Sequence, residues 1–373
     1  MKILYTNFHH RNGGGHVTYI INLLNELKDA HQLCVATPDT SRLYRYASRI
    51  AGVQVVDMRY TSRVIPMLRE VWRLRTFLQK ERFDVVHVNA SADHRHVMLA
   101  CAGLSPRPRI VWTKHNDHPV TSLGHRLRAR FATDHVIAVS SYVQKILADS
   151  AYRTTPMHVI HHGIDTGYFI PVPPAEKRRQ RCELFGSPLE QVIVLGSSGG
   201  TDYDKGWLDL VAALAQLPPA QRSLFRIVVA GDLPDKGKVD KVRALDLEGQ
   251  VLFPGLSDDV RPILAACDIG FVLSYREALS YACRETLALG LPTLISNAGG
   301  LPENLADGVE GWIVPSRDPA AIAAVLRTML SDTSGLKAMG IAARRKSELE
   351  FNLSLFRQRT LSVYEQALAI MDS

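Results

Sequence analysis

Two carboxylates, Glu277 and Glu285, stand with seven residues between them in the stretch Cys267–Pro315. Asp268–Ser274 and Leu291–Ser296, on either side of them, are short apolar runs of strand type, and the segment from Ser280 to Glu285 reads as a helix opening near Ser280. At ~1.5 Å per residue, the backbone climbs roughly 7–8 Å between Ser280 and Glu285. The free N–H groups of a helix start favour an anion, and a carboxylate on each flank accepts hydrogen bonds from hydroxyls. The ligand that suits this pattern is elongated, anionic in the middle and hydroxyl-bearing at both ends. A nucleotide-sugar, made of hexose, diphosphate and ribose, has that shape.

Other residues of chemical type fall at the ends of apolar runs. Asn12-Gly13-Gly14-Gly15-His16 follows the first such run and leads into a helix, and glycines there let the backbone approach a ligand closely. Its spacing is not GxGxxG, so the dinucleotide fingerprint is absent. His9, His10, His94, His96, His115, His118, His161 and His162 stand where strands should end, and His115, in Thr113–Asp117, is singled out as functional. Ile193–Leu208 reads as strand, glycine-rich loop and helix, with Lys205 placed to reach a phosphate. His94-x-His96, His115-x-x-His118 and Asp202-x-Asp204 lack the further ligands of a metal site, so no metal is expected. The five cysteines are scattered without CxxC, as reduced thiols would be.

The elements that must position these residues alternate. Strand candidates in the first half are Lys2–Asn7, Leu33–Thr37, Val53–Asp57, Val85–Asn89, Ile110–Lys114, His135–Ser140 and Met157–His161. In the second half they are Gln191–Gly196, Phe225–Gly231, Gln250–Pro254, Asp268–Ser274, Pro292–Ser296 and Gly311–Pro315. Helical patterns such as Thr18–Asp29 and Tyr142–Asp149 lie between them. Such alternation predicts α/β architecture, with parallel sheets covered on both faces, and 373 residues suit two domains. The expected division is a first Rossmann-like domain over residues 1–170, a Pro-rich, basic linker over 171–181, a second Rossmann-like domain over 182–351 and a closing helical segment over 352–373, its helix roughly Asn352–Met371. Two doubly wound domains facing across a cleft would place ligands beyond the carboxyl ends of their strands.

The net charge of +7 is uneven: residues 1–165 carry 22 Lys and Arg against 12 Asp and Glu, and all fourteen histidines. Part of the excess lies in Arg63–Arg82 and Gly124–Arg130, both of which read as amphipathic basic helices suited to an anionic lipid surface or a phosphorylated acceptor. The basic stretches lack a known module pattern, so nucleic acid is not an expected partner. No run approaches ~18 apolar residues, and the first residues lack the apolar core of a signal peptide. The expected location is the cytoplasm, peripheral on the cytoplasmic face of the inner membrane.

Taken together, these motifs resemble a known family. In order come His162-Gly163-Ile164-Asp165-x-x-x-Phe169, Lys205-Gly206, Glu277 with Glu285, Ala288-Leu289-Gly290-Leu291-Pro292, Gly299-Gly300-x-x-Glu303 and Asp307-Gly308-x-x-Gly311. The chain resembles GT-B glycosyltransferases of family 4, the retaining, nucleotide-sugar-dependent group. The resemblance implies that Glu277 contacts the transferred sugar and Glu285 the ribose hydroxyls, with the backbone of Ala278, Leu279 and Ser280 facing the diphosphate. It implies that Lys205 stabilises the departing diphosphate, that His115 is an active-site residue of the first domain, and that Gly14 and Gly15 lie near donor and acceptor. Where the family carries an arginine just upstream of the lysine, this chain reads Gly196-Ser197-Ser198-Gly199, leaving Arg276 or the serines as replacements. The resemblance further implies a closing helix that crosses back to the first domain, transfer without cofactor or metal, and a UDP-sugar as the commonest donor. With the basic first half, it points to a lipid-linked or anionic glycan acceptor, such as an intermediate of lipopolysaccharide or another cell-envelope glycan.

Two other classes are compatible with the same residues. One is a two-domain protein that binds a sugar or nucleotide without chemistry. The other keeps the fold but not the reaction, as a sugar-nucleotide epimerase or a phosphorylase would.

Overall fold

The computed structural model describes residues 1–369, so the last residues assigned to the closing segment, 370–373, lie outside the described residues. The chain forms two compact units, one of residues 1–163 together with the segment from Leu353, the other Ile164–Asn352. All thirteen strand candidates are strands, with ends displaced by at most two residues.

The first unit holds β1 (Lys2–Thr6), β2 (Gln32–Thr37), β3 (Val53–Asp57), β4 (Val85–Val88), β5 (Arg109–Lys114), β6 (His135–Ala138) and β7 (Met157–Val159), in the order β3-β2-β1-β4-β5-β6-β7. Every pairing is parallel. Parallel strands covered on both faces must be apolar along their whole length, and Ile3, Leu4, Val85, Val86, Ile110 and Val111 are all fully buried. Right-handed crossovers place helices Val64–Glu81, Ser91–Cys101 and Leu123–Phe131 side by side on one face, and helices Gly14–Leu27 and Leu353–Ala369 on the other. The closing helix is tied down by Tyr364, whose hydroxyl lies 3.1 Å from that of Tyr5 and 2.6 Å from Nδ1 of His87.

The second unit holds β8 (Ile193–Ser197), β9 (Phe225–Val229), β10 (Val251–Leu252), β11 (Ile269–Val272), β12 (Thr293–Ser296) and β13 (Gly311–Val314), ordered β10-β9-β8-β11-β12-β13 and again parallel. Its strand order reverses between β8 and β11; in the first unit the reversal lies between β1 and β4. Loops leaving such a pair diverge to opposite faces and open a crevice at the carboxyl ends.

Two sequence expectations are corrected. Of the linker 171–181, only the start is extended: Pro174–Phe185 is an α-helix. Pro174 occupies the first helical turn, where its missing N–H has no cost. Glu176 accepts from Arg179 at 2.6 and 3.0 Å and from Gln180 at 2.7 Å, so the charges that read as linker composition are helical i,i+3 and i,i+4 pairs. His94 and His96 do not end a strand. Both are buried in helix Ser91–Cys101, with Nε2 of His94 2.8 Å from the Ala132 carbonyl and Nδ1 of His96 2.9 Å from that of Ala92.

Candidate functional site

In the second unit, the loops at the β8/β11 switch carry the expected donor-binding residues. Lys205 lies in the 3₁₀ turn Tyr203–Lys205, and its Nζ stands 3.6 Å from Oε2 of Glu277. Gly206 holds that turn against β11: it has φ +68°, and a Cβ there would meet the Leu273 carbonyl oxygen at 1.9 Å. The Tyr275 N–H donates to the Asp204 carbonyl at 2.7 Å and the Gly300 N–H to that of Glu277 at 2.9 Å, so three loops are laced together by backbone bonds. Glu285, in helix Tyr281–Ala288, accepts from the Ser198 hydroxyl at 2.6 Å. The structure thus brings Lys205 to Glu277 and Glu285 to the glycine-serine loop after β8.

Ser280 caps the helix, its hydroxyl accepting from the Cys283 N–H at 3.3 Å. Its φ is +104°, a conformation that side chains rarely adopt. Strain of this kind is of order 1–3 kcal/mol, and replacing a serine cap by glycine costs only a few tenths. Ser280→Gly is therefore expected to raise stability by about 1 kcal/mol, and Ser280→Ala, which keeps the strain and loses the cap, to lower it by about 1 kcal/mol. Urea unfolding midpoints of the two variants check the signs.

Ala278 and Leu279 are buried, so their side chains pack and only their backbone is suited to a ligand. Behind them stands a brace that sequence reasoning missed. Asn304 donates from Nδ2 to the Leu279 carbonyl at 2.8 Å and accepts from Nε of Arg284 at 2.9 Å. Arg284 is fully buried, with its guanidinium 3.9 Å from the centre of the Phe351 ring. Burial pulls its pKa down to about 10. The brace joins residues as far apart in the chain as Arg284 and Phe351 and leaves no local signal. Ser198 was detectable only as one of two serines in a glycine-flanked loop.

In the first unit, Gly14 and Gly15 open helix Gly14–Leu27 beyond β1, with Gly13 and Gly14 both at positive φ. The next residue, His16, lies against His115, their ring centres 4.2 Å apart. His9, Tyr19 and His162 complete the cluster, at 4.7 Å from His16, 4.7 Å from His115 and 5.9 Å from His115 respectively. Burial, reinforced by the neighbouring imidazoles, holds His115 well below the ordinary histidine value and His16 at about 3. These rings are neutral at neutral pH. His87 sits beneath them, also lowered to about 3 by burial, with Nε2 2.6 Å from the Thr113 hydroxyl. Among the described residues, no group of three or more His, Cys, Asp or Glu is arranged to hold a metal ion.

The comparisons agree with this geometry unit by unit. Residues 13–168 match the model of Glycosyltransferase Family 4, and residues 185–346 that of Glycosyl transferases group 1. D-inositol 3-phosphate glycosyltransferase of Salinispora arenicola is 27% identical over 79% of this chain and 66% of its own length. Alpha-maltose-1-phosphate synthase of Mycolicibacterium smegmatis is 27% identical over 64% of each. The chain thus spans just under two thirds of these relatives. Among solved structures, HepE of Anabaena in complex with UDP and glucose superimposes with a TM-score of 0.83 at 21% identity, covering 98% of this chain and 99% of that one, a likeness of fold. One match to each unit and an architecture shared over nearly the whole chain agree with a GT-B fold.

Proposed function

We propose that the chain is a retaining glycosyltransferase of family 4, moving a hexosyl group from a nucleoside diphosphate sugar, with uridine as the expected base, to a hydroxyl acceptor. The observation that carries this reading is the arrangement of Lys205, Glu277, the helix start at Ser280 and Glu285 around the switch point of one sheet. Lysine and amide groups suit a diphosphate, and the two carboxylates suit hydroxyls on either side of it. HepE, which shares the fold, was solved with UDP and glucose. In the proposed reaction the anomeric carbon–oxygen bond to the phosphate breaks as the bond to the acceptor oxygen forms on the same face. The acceptor proton passes to the departing phosphate oxygen. Lys205 and the backbone amides around Ala278–Ser280 stabilise the charge that builds there, with no metal required. His115, beside Gly14 and Gly15, is the proposed ligand-facing residue of the first unit.

Incubation with a panel of nucleotide-sugars, following released nucleoside diphosphate with and without acceptors, tests the reading. Release that requires an acceptor supports transfer. Tight uptake without any product would instead mean a binding protein, and conversion of one nucleotide-sugar into another an epimerase.

The proposed acceptor is a lipid-linked or anionic glycan, such as a lipopolysaccharide intermediate, met at the cytoplasmic face of the inner membrane. Helix Val64–Glu81 exposes Val64, Ile65, Leu68 and Trp72 beside Arg63 and Arg69, and helix Leu123–Phe131 exposes Leu123, Leu127 and Phe131 beside Arg126 and Arg130. Apolar stripes edged by arginine suit the interface of an anionic bilayer. No helix of the described residues is long and apolar enough to cross a membrane. Vesicles containing anionic lipid are expected to retain the protein at low salt and release it at high salt, with Trp72→Ser weakening retention. Absence of low-salt retention would remove the membrane from the proposal.

A further inference from the structure

We infer that Asn89 is a positioning residue that holds His115 in a single tautomer, Nε2 protonated and Nδ1 carrying the lone pair, so that the ring meets its ligand as an acceptor of a hydroxyl proton. The inference rests on the reading of His115 as a ligand-facing residue.

Asn89 follows β4 at its carboxyl end and is 1% exposed. Its backbone N–H donates to Oδ2 of Asp93 at 2.9 Å, and the same carboxylate oxygen accepts from the Thr6 hydroxyl at 2.8 Å. Its side-chain Nδ2 donates to the carbonyls of Thr6 at 3.1 Å and His87 at 3.3 Å. Both of those partners are acceptors only, so the amide cannot be turned over without setting oxygen against oxygen. Oδ1 must therefore face the other way, and there it lies 2.9 Å from Nε2 of His115.

The consequence for His115 follows from proton counting. An amide oxygen carries no proton, so Nε2 supplies the one in this bond. A neutral imidazole has only one N–H, and burial among other histidines keeps this ring neutral. Nδ1 is then an acceptor, and it is buried without a hydrogen-bond partner. A buried unsatisfied polar atom is costly and calls for an explanation. A hydroxyl on a bound ligand would satisfy it, whereas a phosphate oxygen would add a second lone pair against the first. The first unit therefore selects a hydroxyl at this point, and Asn89 enforces the choice without touching the ligand.

¹⁵N NMR of the full chain labelled at its histidine nitrogens tests this, with His115→Gln identifying the signals. The expected wild-type ring is protonated at Nε2 only. Asn89→Ala is expected to mix the tautomers and to lower kcat about tenfold, the share of one hydrogen bond. Adding Asn89→Ala to His115→Ala should cost nothing more, since the amide acts only through the ring. A wild-type ring protonated at Nδ1 overturns the inference, as does an Asn89→Ala ring of unchanged tautomer, or losses that multiply in the double variant. If no transfer is detected with any donor, the functional reading fails, while the wild-type tautomer still decides this one.

Discussion

Lys205→Ala is expected to lower kcat by about 10²–10³-fold, the range seen when one preorganised charge-stabilising donor is removed. The ammonium stands at the β8/β11 switch, 3.6 Å from Glu277, and keeps 29% of its side chain exposed, so it is organised before any ligand arrives. Its proposed partner is the negative charge that grows on the diphosphate as the glycosidic bond breaks. That charge is larger in the transition state than in the bound donor, so the loss should fall on kcat more than on KM. The fold should survive, because an exposed ion pair of this kind contributes little to stability. Single-turnover rates and calorimetric binding of UDP separate the two effects. An alanine variant with the wild-type chemical rate would take Lys205 out of the mechanism.

Glu277→Ala should reduce turnover by about 10–100-fold, equivalent to one hydrogen bond to a charged group, and leave the affinity for bare UDP unchanged or slightly higher. The asymmetry follows from the resting contact. With Glu277 gone, Lys205 loses the carboxylate beside it and is free to bind phosphate. Glu277 itself is proposed to hold the sugar, which UDP lacks. Parallel losses in turnover and UDP binding would assign Glu277 to the nucleotide and sink its sugar-contacting role.

Much of the architecture was legible beforehand. The strands are buried on both faces, so they appear as apolar runs, and each of the thirteen runs became a strand. Boundaries were less secure: Gln250–Pro254 shortened to Val251–Leu252, the edge strand of its sheet. The helix Pro174–Phe185 was hidden because its proline and charges mimic a linker, although the same residues start and brace it. The candidate donor-binding residues were legible because an anion at a helix start, flanked by carboxylates, would require particular residue types at close spacing along one segment.

By itself, the sequence determined the alternation of strands and helices, the break in charge between the halves, and the short segments from which Lys205, Glu277, Ser280 and Glu285 project. Those are local properties, set by burial pattern and helix geometry over a few residues. Only the tertiary structure decided that Ser198 meets Glu285, that Arg284 and Asn304 support the loop at Leu279, and that Asn89 meets His115. Each of these contacts joins segments that follow different strands, and strand order, which no local pattern encodes, decides which segments become neighbours.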